Sequence, residues 1–220
     1  MHLRTGVLVS ALAILTSPAG AGDTSLEGLK NRVVGQWISI ACELRPQPNA
    51  KDASAAPTST YLKRNFAYDA EAGFKASITV FADAGCKIPA VTYEFAGQVI
   101  WHDRNPAADG AWSQDYVLDR KLELTVHAEA MAAQLNQLPA GACGSGPFEV
   151  GVTRDILGQP CALLKYVEGS RFVVDHDFLY VREDTPNMLF MGAKHVDGTG
   201  FYFPENRPTV GLQQPLIRVE

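Results

Sequence analysis

The sequence predicts a mainly β fold, an antiparallel barrel, closed or half-open, with an N-terminal helix and one further helix. Three observations predict it. Apolar residues recur with period two over most of the chain beyond Gly35, the pattern of strands that bury one face. Clusters of Asp, Asn and Gly separate the alternating runs. Gly35-Gln36-Trp37 follows directly on a short helical pattern. Many short strands joined by tight turns fit an antiparallel sandwich or barrel.

The elements follow in order. Arg4, the apolar run Gly6 to Leu15 and the small residues Ala19-Gly20-Ala21 read as a secretion signal cleaved after Ala21. That run is too short to span a bilayer. Residues 22–220 then form a single domain. Thr24 to Val34 reads as a helix with a Thr24-x-x-Glu27 capping box, Leu26, Leu29 and Val33 on one face and Gly35 at its end. Trp37, Ser39, Ala41, Glu43 and Arg45 share one face of the first strand. Leu62, Arg64, Phe66 and Tyr68 share a face of the second, and Phe74, Ala76, Ile78 and Val80 a face of the third.

Val91, Tyr93 and Phe95 follow, then Val99 and Trp101. Next come Trp112, Gln114, Tyr116 and Leu118, then Leu122, Leu124 and Val126. Turns are expected at Asp69 to Gly73, Asp83 to Gly85, Asn105 to Gly110 and Asp119-Arg120. Ala128 to Leu138, stopped by Pro139-Ala140-Gly141, reads as a helix crossing the outside of the barrel. Further strands are expected near Phe148 and at Ala162–Val167, Arg171–Val174, Phe178–Arg182, Met188–Met191 and Leu216–Val219. Asn206 to Pro215 reads as a connection. Gln47 to Thr60, small, polar and without apolar periodicity, reads as a loop that is either an insertion or a lid over a cavity mouth.

The whole chain carries a formal charge of −5, from 19 Lys and Arg against 24 Asp and Glu. Loss of Arg4 with the leader brings it to about −6, which argues against a nucleic-acid partner and against docking on anionic lipid. All four cysteines, Cys42, Cys86, Cys143 and Cys161, lie beyond the leader. An even count in an exported chain reads as two disulfides. Of three pairings, Cys42–Cys86 and Cys143–Cys161 are favoured because each joins neighbouring segments. No Cys-x-x-Cys pair and no His at ligand spacing from a Cys points to metal, and no cofactor is implied.

Trp37-x-Ser39-x-x-Cys42-Glu43-x-Arg45-Pro46 resembles the APCDD family (adenomatosis polyposis coli down-regulated). Tyr61-Leu62-x-Arg64-x-Phe66, Phe74, Asp83-x-x-Cys86-x-x-Pro89, Tyr116-x-Leu118, Cys143, Cys161, Asn206-Arg207-Pro208 and Gln214-Pro215-Leu216 continue the resemblance in order. It implies a lipocalin-like barrel with a hydrophobic pocket suited to an acyl chain. Animal members are membrane-tethered Wnt inhibitors with two such domains. This chain has room for one and carries no apolar C-terminal segment of membrane-spanning length. The expectation is therefore a single-domain, bacterial-type member, secreted or periplasmic, that binds a fatty-acyl or other lipid ligand without catalysis.

The residues themselves give that expectation a geometry. If Trp37 points inward, so do Glu43 and Arg45, and Arg64 joins them from the next strand. Glu43 with Arg45 and Arg64 leaves one positive charge over, either to hold a ligand carboxylate or phosphate or to sit in a self-satisfied network. Phe66, Phe74, Tyr93 and Tyr116, with Trp101, are candidates to line a cavity, with Arg45 or Arg64 at the head group. Trp37, Glu43 and Pro46 belong to the structural motif, with Trp37 as a plug near a closed end.

Two other readings compete. One is a structural or protein-binding envelope module with a packed core and an exposed apolar patch; nothing in the sequence names its protein partner. The other is a hydrolase. His102-Asp103 and Asp175-His176-Asp177 are the His–carboxylate clusters, there is no Gly-x-Ser-x-Gly elbow, and His176 reads as part of a solvated hairpin turn.

Overall fold

The computed structural model describes residues 23–47, 58–164, 173–194 and 202–220. Residues 1–22, which include the expected leader, and residues 48–57 of the expected Gln47–Thr60 loop lie outside them. Helix α1 spans Leu26–Val33, and its cap is Ser25 rather than Thr24: the Ser25 hydroxyl accepts the Gly28 amide at 3.0 Å. Thr24 instead offers its carbonyl to Trp112 and Arg104. Leu29 and Val33 are buried. The indole of buried Trp37 donates to the Val33 carbonyl at 2.7 Å. Arg218 donates to the Val34 and Arg32 carbonyls and lies over the Trp37 ring at 4.2 Å. A cation at the carbonyl end of the helix thus clamps α1 onto the sheet.

Ten strands follow: β1 (Gly35–Ser39), β2 (Glu43–Gln47), β3 (Thr58–Tyr68), β4 (Gly73–Phe81), β5 (Pro89–Arg104), β6 (Trp112–Val126), β7 (Thr153–Asp155), β8 (Val173–Val181), β9 (Met188–Met191) and β10 (Leu216–Arg218). All pair antiparallel. The order is β1-β10-β9-β8-β6-β5-β4-β3-β2, and β1 also pairs with β3. Strand pairing therefore runs in a ring that returns to β1. The short β7 adds to β6 beside this ring. Thr58 to Thr60 are strand, as is Gln47, so the loop expected over Gln47–Thr60 is shorter at both ends.

Register explains where the sequence pattern held across interruptions. Trp37 faces Phe66, whereas Glu43 faces Leu62, so β1–β2 carries two more residues than β3 over the break. A two-residue excess keeps the side-chain alternation in phase. Trp37 and Glu43 are both buried, while Ala41, inside the break, is exposed rather than sharing their face. The same happens at Asp119-Arg120. The expected turn is instead an irregularity within continuous β6, where Ala96 faces Lys121 and Gln98 faces Val117. Gly97 permits it: a Cβ there would lie 1.8 Å from the Val117 carbonyl oxygen. Val99 and Trp101 likewise belong to the same strand as Val91, Tyr93 and Phe95.

Other expectations are corrected. Helix α2 spans Glu129–Asn136, with Ala132 and Leu135 buried and Met131 turned to a cavity, so it is not simply laid on the outside. Near Phe148 the chain makes an isolated bridge, Val126 with Val150, before β7. Ala162–Leu164 is a short 3-10 helix rather than the start of the strand expected over Ala162–Val167, whose residues 165–167 lie outside the described residues. Arg171–Val174 and Phe178–Arg182 were expected as two strands; Val173–Val181 is one, so no hairpin turn falls at His176. The disulfides are Cys42–Cys86 and Cys143–Cys161. The first ties the β1–β2 break to the β4–β5 turn, and the second ties the segments that follow α2 and β7. No helix among the described residues is long and apolar enough to cross a membrane.

Candidate functional site

Buried and half-buried side chains of β3, β4, β5 and β6 line a cavity of about 360 Å³ that opens to solvent on one side, within the size range of small-molecule sites. Its wall follows from strand alternation. Leu62 and Phe66 come from β3, Phe74, Ala76, Ile78 and Val80 from β4, Val91, Tyr93 and Phe95 from β5, and Tyr116 and Leu118 from β6. Met131 of α2, Leu163, Leu164 and Tyr202 complete the apolar lining. Arg45, Thr60 and Asp175 bring polar groups to it. Arg45 and Thr60 are register partners on β2 and β3, and Tyr116 and Asp175 are register partners on β6 and β8.

Of the residues proposed from sequence as ligand contacts, Arg45, Phe66, Phe74, Tyr93 and Tyr116 reach this cavity and Arg64 does not. Phe74 and Tyr116 rings lie 4.7 Å apart between centroids. The Tyr116 hydroxyl is hydrogen-bonded to that of Tyr68, and burial raises both phenols well above their ordinary pKa. Trp37 packs at α1 and Trp101 faces a separate depression beside α1, so neither lines the cavity. Pro46 is exposed on β2, whose one strand neighbour among the described residues is β3, a position that tolerates proline.

Arg64 is instead locked beneath the cavity wall. Its Nε donates to Glu43 Oε1 at 2.8 Å, one terminal nitrogen donates to the Gln214 carbonyl at 2.6 Å, and the other contacts Met191 Sδ at 3.3 Å. Glu43 also accepts the Ser39 hydroxyl at 2.6 Å. The two charged side chains are 1% and 4% exposed, so this is a buried, nearly saturated pair. Arg45 lies 3.9 Å from the other Glu43 oxygen and donates to Gln213 Oε1. Burial, with Arg64 nearby, lowers its pKa to about 10. It is still a cation near neutral pH.

A second enclosed set was missed from sequence. Lys194 donates to Asp175 Oδ1 at 2.8 Å and to Asp177 Oδ2 at 2.7 Å. Asp177 Oδ1 accepts the Phe178 and Gly192 amides, each at 2.8 Å. Burial raises the Asp175 pKa against the pull of Lys194. Burial also works against the Lys194 charge, but the two carboxylates outweigh it and raise its pKa. The signal was available: Val173, Asp175, Asp177, Leu179 and Val181 alternate as one strand face.

His176, on the opposite face, is buried rather than solvated. It pairs with Asp115 at 2.6 Å, which also pairs with His102 at 2.7 Å and accepts Arg207 at 2.7 Å. Burial opposes the Asp115 charge, but these three partners hold its carboxyl below the ordinary range. Among the described residues no group of His, Cys, Asp or Glu is arranged to hold a metal ion.

Residues 21–157 match the family model described as Adenomatosis polyposis coli down-regulated 1. The match covers more than half of the chain and includes β1 to β7, hence most of the cavity wall. Asp175, Asp177, Lys194, Cys161 and the closing Asn206-Arg207-Pro208 and Gln214-Pro215-Leu216 segments lie beyond it.

Proposed function

The chain belongs to the adenomatosis polyposis coli down-regulated 1 family, and from that premise we propose that it is a non-catalytic carrier or receptor for a fatty-acyl or related lipid. The observation that carries this reading is the cavity of about 360 Å³ walled by Phe66, Phe74, Phe95, Leu118 and Met131, to which Arg45, Thr60, Asp175 and the tyrosines Tyr93, Tyr116 and Tyr202 bring a few polar groups. Each methylene placed in such a site gains about 0.8 kcal/mol relative to water. In this reading the ring of strands is a lipocalin-like barrel, Phe66, Phe74, Tyr93 and Tyr116 hold the tail, and Arg45 meets the head group. Arg64 positions the wall through Glu43. Two disulfides fit an oxidising compartment, and the proposed place of action is outside the cytoplasm, for a single-domain member of bacterial type.

Titration with a polarity-sensitive acyl probe tests the reading. Saturable one-site binding, displaced better by long acyl chains than by short ones, is the expected result. Absence of saturable binding by the folded protein would remove it. A second reading has its own observation: Ile40, Leu44 and Ile88 are exposed by 53%, 54% and 58% around the Cys42–Cys86 disulfide. That patch fits the protein-binding module, which predicts that Ile88→Ser weakens a partner contact and leaves probe binding unchanged.

A further inference from the structure

We infer that the cavity selects a lipid whose head group is uncharged and carries both a hydrogen-bond donor and an acceptor, such as a monoacylglycerol or a primary acyl amide, in preference to a free fatty acid. The inference rests on the proposed lipid-binding function and names the head-group class that the same site takes.

Charge balance is the first observation. Arg45 reaches the cavity as a cation, but Asp175, ion-paired with Lys194 at 2.8 Å, reaches the same cavity. The two act on each other: Asp175 and Asp177 lie close enough to favour the Arg45 charge. Gln213 links the sides further, since its carbonyl oxygen accepts Arg45 and its amide nitrogen donates to the Gly192 carbonyl, next to Asp177. Among the described residues the enclosed groups on the Arg45 and Asp175 side are Glu43, Asp175 and Asp177 against Arg45, Arg64 and Lys194, while Asp115 and Arg207 answer each other on the opposite face of β8. They are already neutral without a ligand, so the spare positive charge expected from Glu43, Arg45 and Arg64 alone is answered by the second set. A carboxylate head would add a fourth anion beside Asp175 with no further cation among the described lining residues to answer it, which costs free energy wherever water is excluded.

The hydrogen-bonding capacity is the second observation. A guanidinium has five donors, and an ionised carboxylate has about four acceptor positions. A hydroxyl or amide head between Arg45 and Asp175 can accept from one and donate to the other without changing the charge. One cross-strand step beyond the Tyr116–Asp175 pair, Gln114 faces Asp177 in register, fully buried and with neither amide atom hydrogen-bonded; it does not line the cavity and takes no part in the head-group selection.

The test is competition at pH 7.5 between the acyl probe and four 12-carbon lipids: the monoacylglycerol, the primary amide, the free acid and the amine. The full folded chain should release the probe to the monoacylglycerol and the amide at concentrations at least tenfold lower than to the acid. Asp175→Asn should improve the acid at least fivefold and change the amide less. Arg45→Gln should instead favour the amine, and it carries the charge argument if the Asp175 variant does not fold. An acid that matches or beats the amide on the wild-type protein would overturn the head-group assignment while leaving lipid binding in place. Failure of all four to compete would overturn both.

Discussion

The Glu43–Arg64 pair and the Asp175–Lys194–Asp177 set are both enclosed, yet they are built differently. Glu43 and Arg64 sit on neighbouring strands; their hydrogen-bond partners are Ser39, Gln214 and Met191, and Arg45 lies 3.9 Å from the second Glu43 oxygen. Neither the Glu43 nor the Arg64 side chain reaches the cavity. The second set draws on β8 and Lys194, and its Asp175 does line the cavity, with a side chain 22% exposed. The difference teaches that buried charge has two uses here. A sealed pair fixes how β2 lies on β3, whereas an open one leaves lone pairs facing a space that a ligand can enter. The disulfides divide in parallel: Cys42–Cys86 braces the sealed side, and Cys143–Cys161 lies near the Leu163–Leu164 side of the cavity.

Removing one partner of the sealed pair should do the most damage. Arg64→Ala leaves Glu43 charged and buried and should cost about 3–5 kcal/mol of unfolding free energy in urea; a loss under about 1 kcal/mol would show that water reaches Glu43 and that the pair is not sealed. Reduction comes next. In the chain-entropy model, opening Cys42–Cys86 should cost about 4 kcal/mol and Cys143–Cys161 about 3 kcal/mol, read from single-bridge Cys→Ser pairs. Equal melting curves with and without reductant would contradict the bracing role of both.

The open set should respond more mildly. Asp175→Asn keeps Lys194 paired with Asp177 and should cost about 1–2 kcal/mol, its larger effect being on ligand choice. A penalty as large as that of Arg64→Ala would erase the distinction between the two sets. The smallest effect belongs to the outer face. The Asp115 pKa is depressed on folding, so its contribution to stability is present above the unfolded value of about 3.9 and is lost as pH falls through the folded value. The melting temperature should therefore drop below about pH 4, and Asp115→Asn should flatten that drop. An identical pH slope in the variant would assign the acid sensitivity to other carboxylates.

Much of this arrangement was legible because alternation survives interruption. Both large irregularities, at Ile40–Cys42 and at Asp119-Arg120, shift register by two, so inward positions such as Trp37, Glu43, Tyr116 and Leu122 could be read through them. Four of the sequence-proposed contacts are aromatics on strand faces, and all four reach the cavity for that reason. What misled was polarity read as punctuation. Asp119-Arg120 and Asp175-His176-Asp177 carry turn-type residues, yet one is a bulge and the other a buried strand whose partners, Lys194, Asp115 and Arg207, are distant in sequence. Ser25 took the helix cap one residue past Thr24. Met131, Leu163, Leu164 and Tyr202 come from a helix and connections whose approach to the cavity has no period to reveal it.

The most direct test of the account is native mass spectrometry of the folded chain with the 12-carbon monoacylglycerol, compared with Ala76→Phe. Ala76 lines the cavity from β4, so the added ring fills the space from within. The account predicts a one-to-one adduct on the wild-type protein and its loss in a folded Ala76→Phe variant. No adduct on the wild type, or an adduct that survives the filled cavity unchanged, would contradict it.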